Sequence, residues 1–166
     1  MNAGAARVRP MVAGDLDRVV EIANGLPEAP HWPVDAYQSA LNSAALDPIA
    51  PASRIALVAE KSGHGQVVGF LVARVVTPES ELETIAVAAD AQRAGVGRRL
   101  IETMFEALQE EKVTEVHLEV RSSNERALRL YRGYGFEETG RRPGYYSDPV
   151  EDAVLMARPL PPANGE

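Results

Sequence analysis

The chain has 166 residues, 45% of them apolar and 25% charged, which fits one globular domain with a sizeable core and excludes a disordered chain. Its 17 Lys and Arg against 24 Asp and Glu give a net charge of −7, a balance that disfavours general nucleic-acid binding and favours cationic partners. Cysteine is absent and histidine occurs only at 31, 64 and 117, which excludes disulfides, thiolate metal sites and a cysteine nucleophile and leaves no metal site expected.

Met1 to Pro10 lacks the apolar core of a signal peptide, and no later apolar run approaches the ~18 residues of a membrane span. A soluble cytoplasmic protein, without membrane association, is expected. Residues 1–166 read as a single domain with an ordered core over about 7–160, and 1–5 and 161–166 are expected to fray. A monomer or homodimer is expected. Val8 to Val12 predicts a short strand. Asp15 to Ala23 carries apolar residues at 16, 19, 20 and 23, the spacing of a helix. Pro27 to Pro33 is a proline-rich loop holding His31 and Trp32, and Val34 to Leu46 predicts a second helix, broken by Pro48, Pro51 and Ser53. Ile55 to Ala59 and Val67 to Val76 are β-branched and apolar around Ser62-Gly63-His64-Gly65, a hairpin pattern. Leu82 to Val87 predicts a third central strand. Gly97 to Glu110 predicts a helix with an apolar stripe at 100, 101, 104, 105 and 108. Glu115 to Val120 predicts a strand with Glu115, His117 and Glu119 on one face. Ser122 and Glu125 form a capping-box pattern opening a helix through Ala127, Leu130 and Tyr131, which Gly133 and Gly135 end. Phe136 to Thr139 and Ala153 to Met156 close the sheet. The order β-α-α-β-β-β-α-β-α-β-β predicts an α/β fold: a mixed, mostly antiparallel central sheet flanked by helices on both faces.

The most informative segment is Ile85-Ala86-Val87 followed by Gln92-Arg93-Ala94-Gly95-Val96-Gly97. It reads as strand, short loop, helix. Glycines two apart let the backbone approach a ligand closely, and the following helix offers free N–H groups to an anion. Arg98 and Arg99 in its first turn oppose the helix dipole unless a polyanion is bound. The segment lacks the Lys-Ser/Thr of a P-loop and the third glycine of the dinucleotide fingerprint.

The pattern Q-R-x-G-x-G, with Asp90 just before it, resembles the acetyl-coenzyme-A loop of the GCN5-related N-acetyltransferases (GNAT superfamily). Leu118-Glu119-Val120-Arg121-Ser122-Ser123-Asn124, then Ala127, Leu130-Tyr131 and Gly135-Phe136, resembles that family's second cofactor segment. Gly140-Arg141-Arg142, Tyr145-Tyr146, Glu151-Asp152-Ala153 and Met156 resemble its bacterial ribosomal-protein alanine N-acetyltransferase branch, which modifies a protein's α-amino group. The resemblance covers roughly 7–160 and is strongest over 82–157. It implies acetyl-CoA (acetyl-coenzyme A) as donor, held by Ile85, Ala86, Val87, Gln92, Arg93, Ala94, Gly95, Val96, Gly97, Arg98, Asn124, Ala127 and Tyr131. It implies Glu119 as general base and Tyr131 as general acid. The residue types suit the chemistry: an amine must lose a proton to attack a thioester, and the departing thiolate must gain one.

Other branches of the superfamily use a Glu on the strand before the glycine loop, and Glu81 matches that position, with Glu83 two residues on. Glu119, Glu81 and an ordered water therefore all stand as candidate bases. Trp32 is a candidate wall of the acceptor groove or a loop anchor. Tyr145 and Tyr146 are candidates for ordering the acceptor or for a plain hairpin surface. The acidic residues Glu137, Glu138, Asp148, Glu151 and Asp152 suit a basic peptide or simply a soluble surface. The acceptor expected is a protein or peptide N-terminus. A small amine, and a coenzyme-A-binding sensor without turnover, are the alternatives.

Overall fold

In the computed structural model the described residues are 6–27, 29, 32–42, 53–63 and 65–163. They form strands β1 (Arg7–Pro10), β2 (Ser53–Glu60), β3 (Val67–Val76), β4 (Glu79–Val87), β5 (Glu115–Arg121), β6 (Glu137–Tyr146) and β7 (Glu151–Pro159). Helices are α1 (Leu16–Asn24), α2 (Val34–Asn42), α3 (Val96–Glu110) and α4 (Glu125–Gly133). The strands make one seven-stranded sheet in the order β1-β2-β3-β4-β5-β7-β6. Every neighbouring pair is antiparallel except β4 with β5. Element order and fold class agree with the sequence reading. The continuation of α2 to Leu46, its proline breakers, His31 and His64 lie outside the described residues.

Each face of the sheet carries its own apolar layer. On one side α3 buries Leu100, Ile101, Met104, Phe105 and Leu108, and α4 buries Leu128 and Tyr131, against Leu71, Leu82, Val116, Leu118 and Val154. On the other side α1 and α2 bury Leu16, Val19, Ile22 and Tyr37 against Val58, Phe70, Val72 and Ala86. The α3 stripe repeats at helical spacing, so that helix presents one continuous apolar face.

The first strand is anchored by charge. The Arg9 guanidinium donates to both carboxylate oxygens of buried Asp15 at 2.9 Å and to Glu60 on β2 at 2.9 Å, while Asp15 accepts the Val12 N–H. The Arg9 bonds hold the Asp15 carboxyl below its ordinary range. Such a fork gives two parallel charge-assisted bonds from one side chain.

One local expectation is corrected. The cap of α4 is Asn124, whose Oδ1 accepts the Ala127 N–H at 3.2 Å, and not Ser122. Glu151 on β7 takes up the neighbouring Ser123, accepting its N–H at 2.7 Å and its hydroxyl at 2.6 Å, so the chain enters the helix two residues later than the capping box predicts.

Candidate active site

Strands β4 and β5 pair in parallel from Glu79 with Glu115 to Leu82 with Leu118, and then part. Beyond that point β4 runs on to Val87 and β5 to Arg121, and the space between them is a cleft of about 500 Å³. Ile85, Ala86, Val87, Gln92, Arg93, Gly95, Val96, Gly97, Arg98, Asn124, Ala127 and Tyr131, which the resemblance assigns to the cofactor, all line it. Ala94 shares the loop with its side chain exposed and is not among the lining residues.

A bulge shapes the β4 wall. Val72 of β3 faces Thr84, yet the next residue, Ala73, faces Leu82, so Glu83 is an extra residue on β4. Bulges re-aim the side chains that follow them. Leu82 points to the α3 layer, whereas Ala86 points to the α1–α2 layer, with Ile85 and Val87 now toward α3. Glu83 is tied to Arg54 of β2 at 2.8 Å.

The glycine loop is built to receive an anion. Gly95 caps α3 with φ +80°, a left-handed conformation that side chains resist, and open space surrounds the position of a Cβ. No side chain caps α3, and its first turn holds no acidic residue. The first N–H groups of the helix are thus left to a ligand. A Cβ on Gly97 would stand in the gap between Leu130 at 3.8 Å and Val87 at 3.9 Å. Gln92 pins the loop: its amide donates to the Val87 carbonyl at 3.1 Å and its oxygen accepts from Arg126 of α4. Uncapped amides, close-approach glycines and the Arg98 and Arg99 cations fit a pyrophosphate-bearing group.

Glu119 stands on the face opposite the α3 layer, since its neighbours Leu118 and Val120 belong to that layer. It lines the large cleft and also a second cavity of about 240 Å³ that holds Glu81, His117, Thr139 and Arg142. Arg142 of β6 reaches its carboxylate at 3.5 Å, and Glu119 pushes the Tyr145 phenol above its ordinary range. The Arg142 guanidinium also lies over the Tyr145 ring, and that of Arg121 over Tyr146, which lines the cleft. Burial pushes the Glu81 carboxyl above its ordinary range, and the charges of Glu119 and Glu83 add to the effect. Tyr131 rises from α4 on the opposite side and is buried. Burial, with Tyr146 nearby, pushes its phenol far above the ordinary tyrosine range.

Trp32 packs on Tyr37 with ring centroids 5.2 Å apart and lines neither cavity. The acidic residues of the last hairpin are largely engaged: Glu138 with Arg141, Glu151 with Ser123, Asp152 with the Gly144 N–H. Sequence reasoning gave no role to Arg142 and did not single out Thr84, Leu26 or Ala29, all three of which line the large cleft. Arg142 stands in the Gly140-Arg141-Arg142 motif. The others carried no signal, because the bulge and the α1–α2 loop that place them depend on tertiary packing.

The chain matches the acetyltransferase (GNAT) family over residues 18–136. It is 41% identical over 99 residues to the ribosomal protein bS18 alanine N-acetyltransferase of Escherichia coli strain K12, covering 58% of this chain and 67% of that protein. A Bacillus subtilis strain 168 protein assigned provisionally to the same activity is 32% identical over 151 residues, 91% of this chain and 93% of its own. Among solved structures, the ribosomal-protein-S18-alanine N-acetyltransferase of Escherichia coli superimposes with a TM-score of 0.76 at 30% identity over 94% of both chains. Ard1 of Thermoplasma volcanium superimposes with a TM-score of 0.78 at 28% identity, over 95% of this chain and 98% of that one. A phosphinothricin acetyltransferase of Sinorhizobium meliloti in complex with AcCoA shares the fold at 19% identity and a TM-score of 0.77, covering 93% of this chain and 88% of its own. Matched by the family across more than half its length and by one relative across nearly all of it, this chain belongs to the acetyltransferase (GNAT) family.

Proposed function

We propose that this chain transfers the acetyl group of acetyl-CoA to the N-terminal α-amine of a protein, with Glu119 as general base and Tyr131 as general acid. The observation that carries this reading is the position of Glu119, which lines both the large cleft and the second cavity. A carboxylate at that junction can take a proton from an amine entering from one side while the acyl donor occupies the other. The relatives named for acetylation of the bS18 alanine supply the acceptor class.

The donor, when bound, supplies an acyl thioester. The α3 amides, Gly95 and Gly97 would hold its pyrophosphate, with Arg98 nearby, and the parted strands its pantetheine arm. Tyr131 holds a proton at its phenol oxygen throughout the working pH range and can give it to the departing thiolate. Glu81 keeps its own proton more readily than an ordinary carboxylate, so we assign it to the acceptor wall. Tyr145 and Tyr146 frame the acceptor's first residues. Trp32, packed on Tyr37, supports the α1–α2 loop whose Leu26 and Ala29 line the cleft. An α-amine of pKa near 8 is about a quarter neutral at pH 7.5, against roughly a thousandth for lysine, so a single carboxylate suffices for it.

The test is thiol release from acetyl-CoA with three acceptor pools: free-α-amine peptides including an Ala-Arg start, the same peptides blocked at the N-terminus but containing Lys, and small amines. Release with the first pool alone is expected. Release with small amines alone overturns the acceptor assignment, and tight coenzyme-A binding without release in any pool overturns turnover itself.

A further inference from the structure

We infer that Thr84 binds the reacting amine of the acceptor: its hydroxyl accepts one N–H of the amine while Glu119 takes the proton. The inference rests on acetyl transfer to an amine and is independent of which amine is the acceptor.

Thr84 is 4% exposed, and its hydroxyl oxygen has no hydrogen-bond partner among the described residues. A buried hydroxyl without a partner is rare and destabilising, and one on a residue that lines a cleft can be satisfied by a group that enters it. Thr84 is also one of the residues that line the large cleft. The bulge at Glu83 decides the direction. With unbroken alternation Thr84 would share the α3 face with Leu82. Instead it pairs with Val72, whose side chain belongs to the α1–α2 layer. That is the face of Glu119, the face opposite Leu118 and Val120. Thr84 on β4 and Glu119 on β5 therefore flank one side of the gap that opens after the Leu82–Leu118 pair.

The stereochemistry follows. An amine that has surrendered one proton keeps two N–H groups and a lone pair. A hydroxyl accepting one N–H fixes rotation about the C–N bond and leaves the lone pair free to point at the thioester carbon. The proton that Glu119 takes is the one lost by the nitrogen as the N–C bond forms, and the C–S bond breaks to release the thiol. Thr84 transfers no proton in this account and is a positioning residue of the acceptor side.

Thr84→Val keeps the shape and removes the hydroxyl; Thr84→Ser keeps the hydroxyl. Steady-state kinetics are read with an Ala-starting peptide, or with a small primary amine if the wild-type enzyme accepts only that, so a wrong acceptor assignment changes the probe and not the test. Thr84→Val is expected to lower kcat/KM for the acceptor about tenfold, the size of one lost hydrogen bond. KM for acetyl-CoA should stay within about twofold, and the Tm of the ligand-free enzyme should hold or rise, because an unpaired buried hydroxyl has been removed. Thr84→Ser should restore most of the acceptor kcat/KM. Wild-type acceptor kinetics in Thr84→Val, a loss that falls on acetyl-CoA instead, or a lowered Tm overturns the assignment.

Discussion

The Glu119 carboxylate has three kinds of neighbour: the Arg142 guanidinium at 3.5 Å, the Tyr145 phenol, and the acidic Glu81 across the second cavity. Arg142 holds the carboxylate in place, and Glu119 presents a negative charge that attracts an ammonium before any chemistry begins. Glu119→Gln keeps the shape but loses the charge that pairs with Arg142 and cannot accept a proton. We expect its kcat to fall by about a hundredfold, the ordinary weight of a general base, with KM for acetyl-CoA nearly unchanged. Tyr131→Phe should lower kcat by about tenfold or more for the same reason on the leaving-group side. Its phenol is pushed up by burial, so it stays protonated as pH rises through 10, and a basic-side fall in rate near that pH is not its doing. Steady-state kinetics over pH 6–10 check all three statements. Full activity in both variants removes the role assignment. Glu119 and Tyr131 were legible in the sequence because each sits in a spaced signature. Thr84 was not, since nothing in Glu-Leu-Glu-Thr announces that one extra residue will turn the fourth side chain to the other face.

At the scale of elements, the loop between β4 and α3 matters most. Its glycines were legible because a left-handed residue and a close-approach residue at a helix start leave few other choices of side chain. The N-terminus of α4 was legible only in part: the residue spacing of a capping box was present, but the Ser123–Glu151 contact across to β7 settled the boundary in favour of Asn124. Local patterns propose a cap and long-range contacts choose among the candidates. The loop yields a prediction with two readouts. Gly97→Val places an isopropyl group in the gap between Val87 and Leu130, where the proposed donor would meet the backbone. Calorimetry should show coenzyme A binding weakened by about tenfold or more, the loss of at least one charge-assisted hydrogen bond. Leu130 and Val87 are at ordinary contact distance from a Cβ, so the fold should hold and KM for the acceptor should change little. Unchanged coenzyme A affinity in a folded Gly97→Val protein removes the loop from the cofactor site.

For the whole molecule, the sequence disclosed the element order and the two-faced burial because strand and helix periodicities are local. It did not disclose that β4 and β5 would be the one parallel pair, or that they would part after Leu82 and Leu118, because strand pairing is a long-range property. That parting creates the cleft, so the site depends on both apolar layers holding the sheet from either side. Tyr37 is the largest aromatic contribution to the α1–α2 layer: it is fully buried, edge-on to Phe70 at 5.7 Å, and its hydroxyl has no partner among the described residues. Burial pushes its pKa up to about 12. The unfolded chain ionises this phenol near pH 10, while the folded chain keeps it neutral until about pH 12. A raised folded-state pKa contributes stability that is fully present below pH ~10 and is lost as pH rises toward the folded value. The wild-type Tm should therefore decline from about pH 10 upward. Tyr37→Phe keeps the ring contacts with Trp32 and Phe70 and removes both the ionisation and the unpaired hydroxyl. Its Tm at pH 7.5 should equal or exceed the wild-type value, and its decline above pH 10 should be shallower, with Tyr131, Tyr134, Tyr145 and Tyr146 contributing to the slope that remains. Thermal unfolding at half-unit steps from pH 7.5 to 11.5 decides it. Parallel curves for the two proteins mean that Tyr37 is not the buried phenol that ties the stability of the α1–α2 layer to pH.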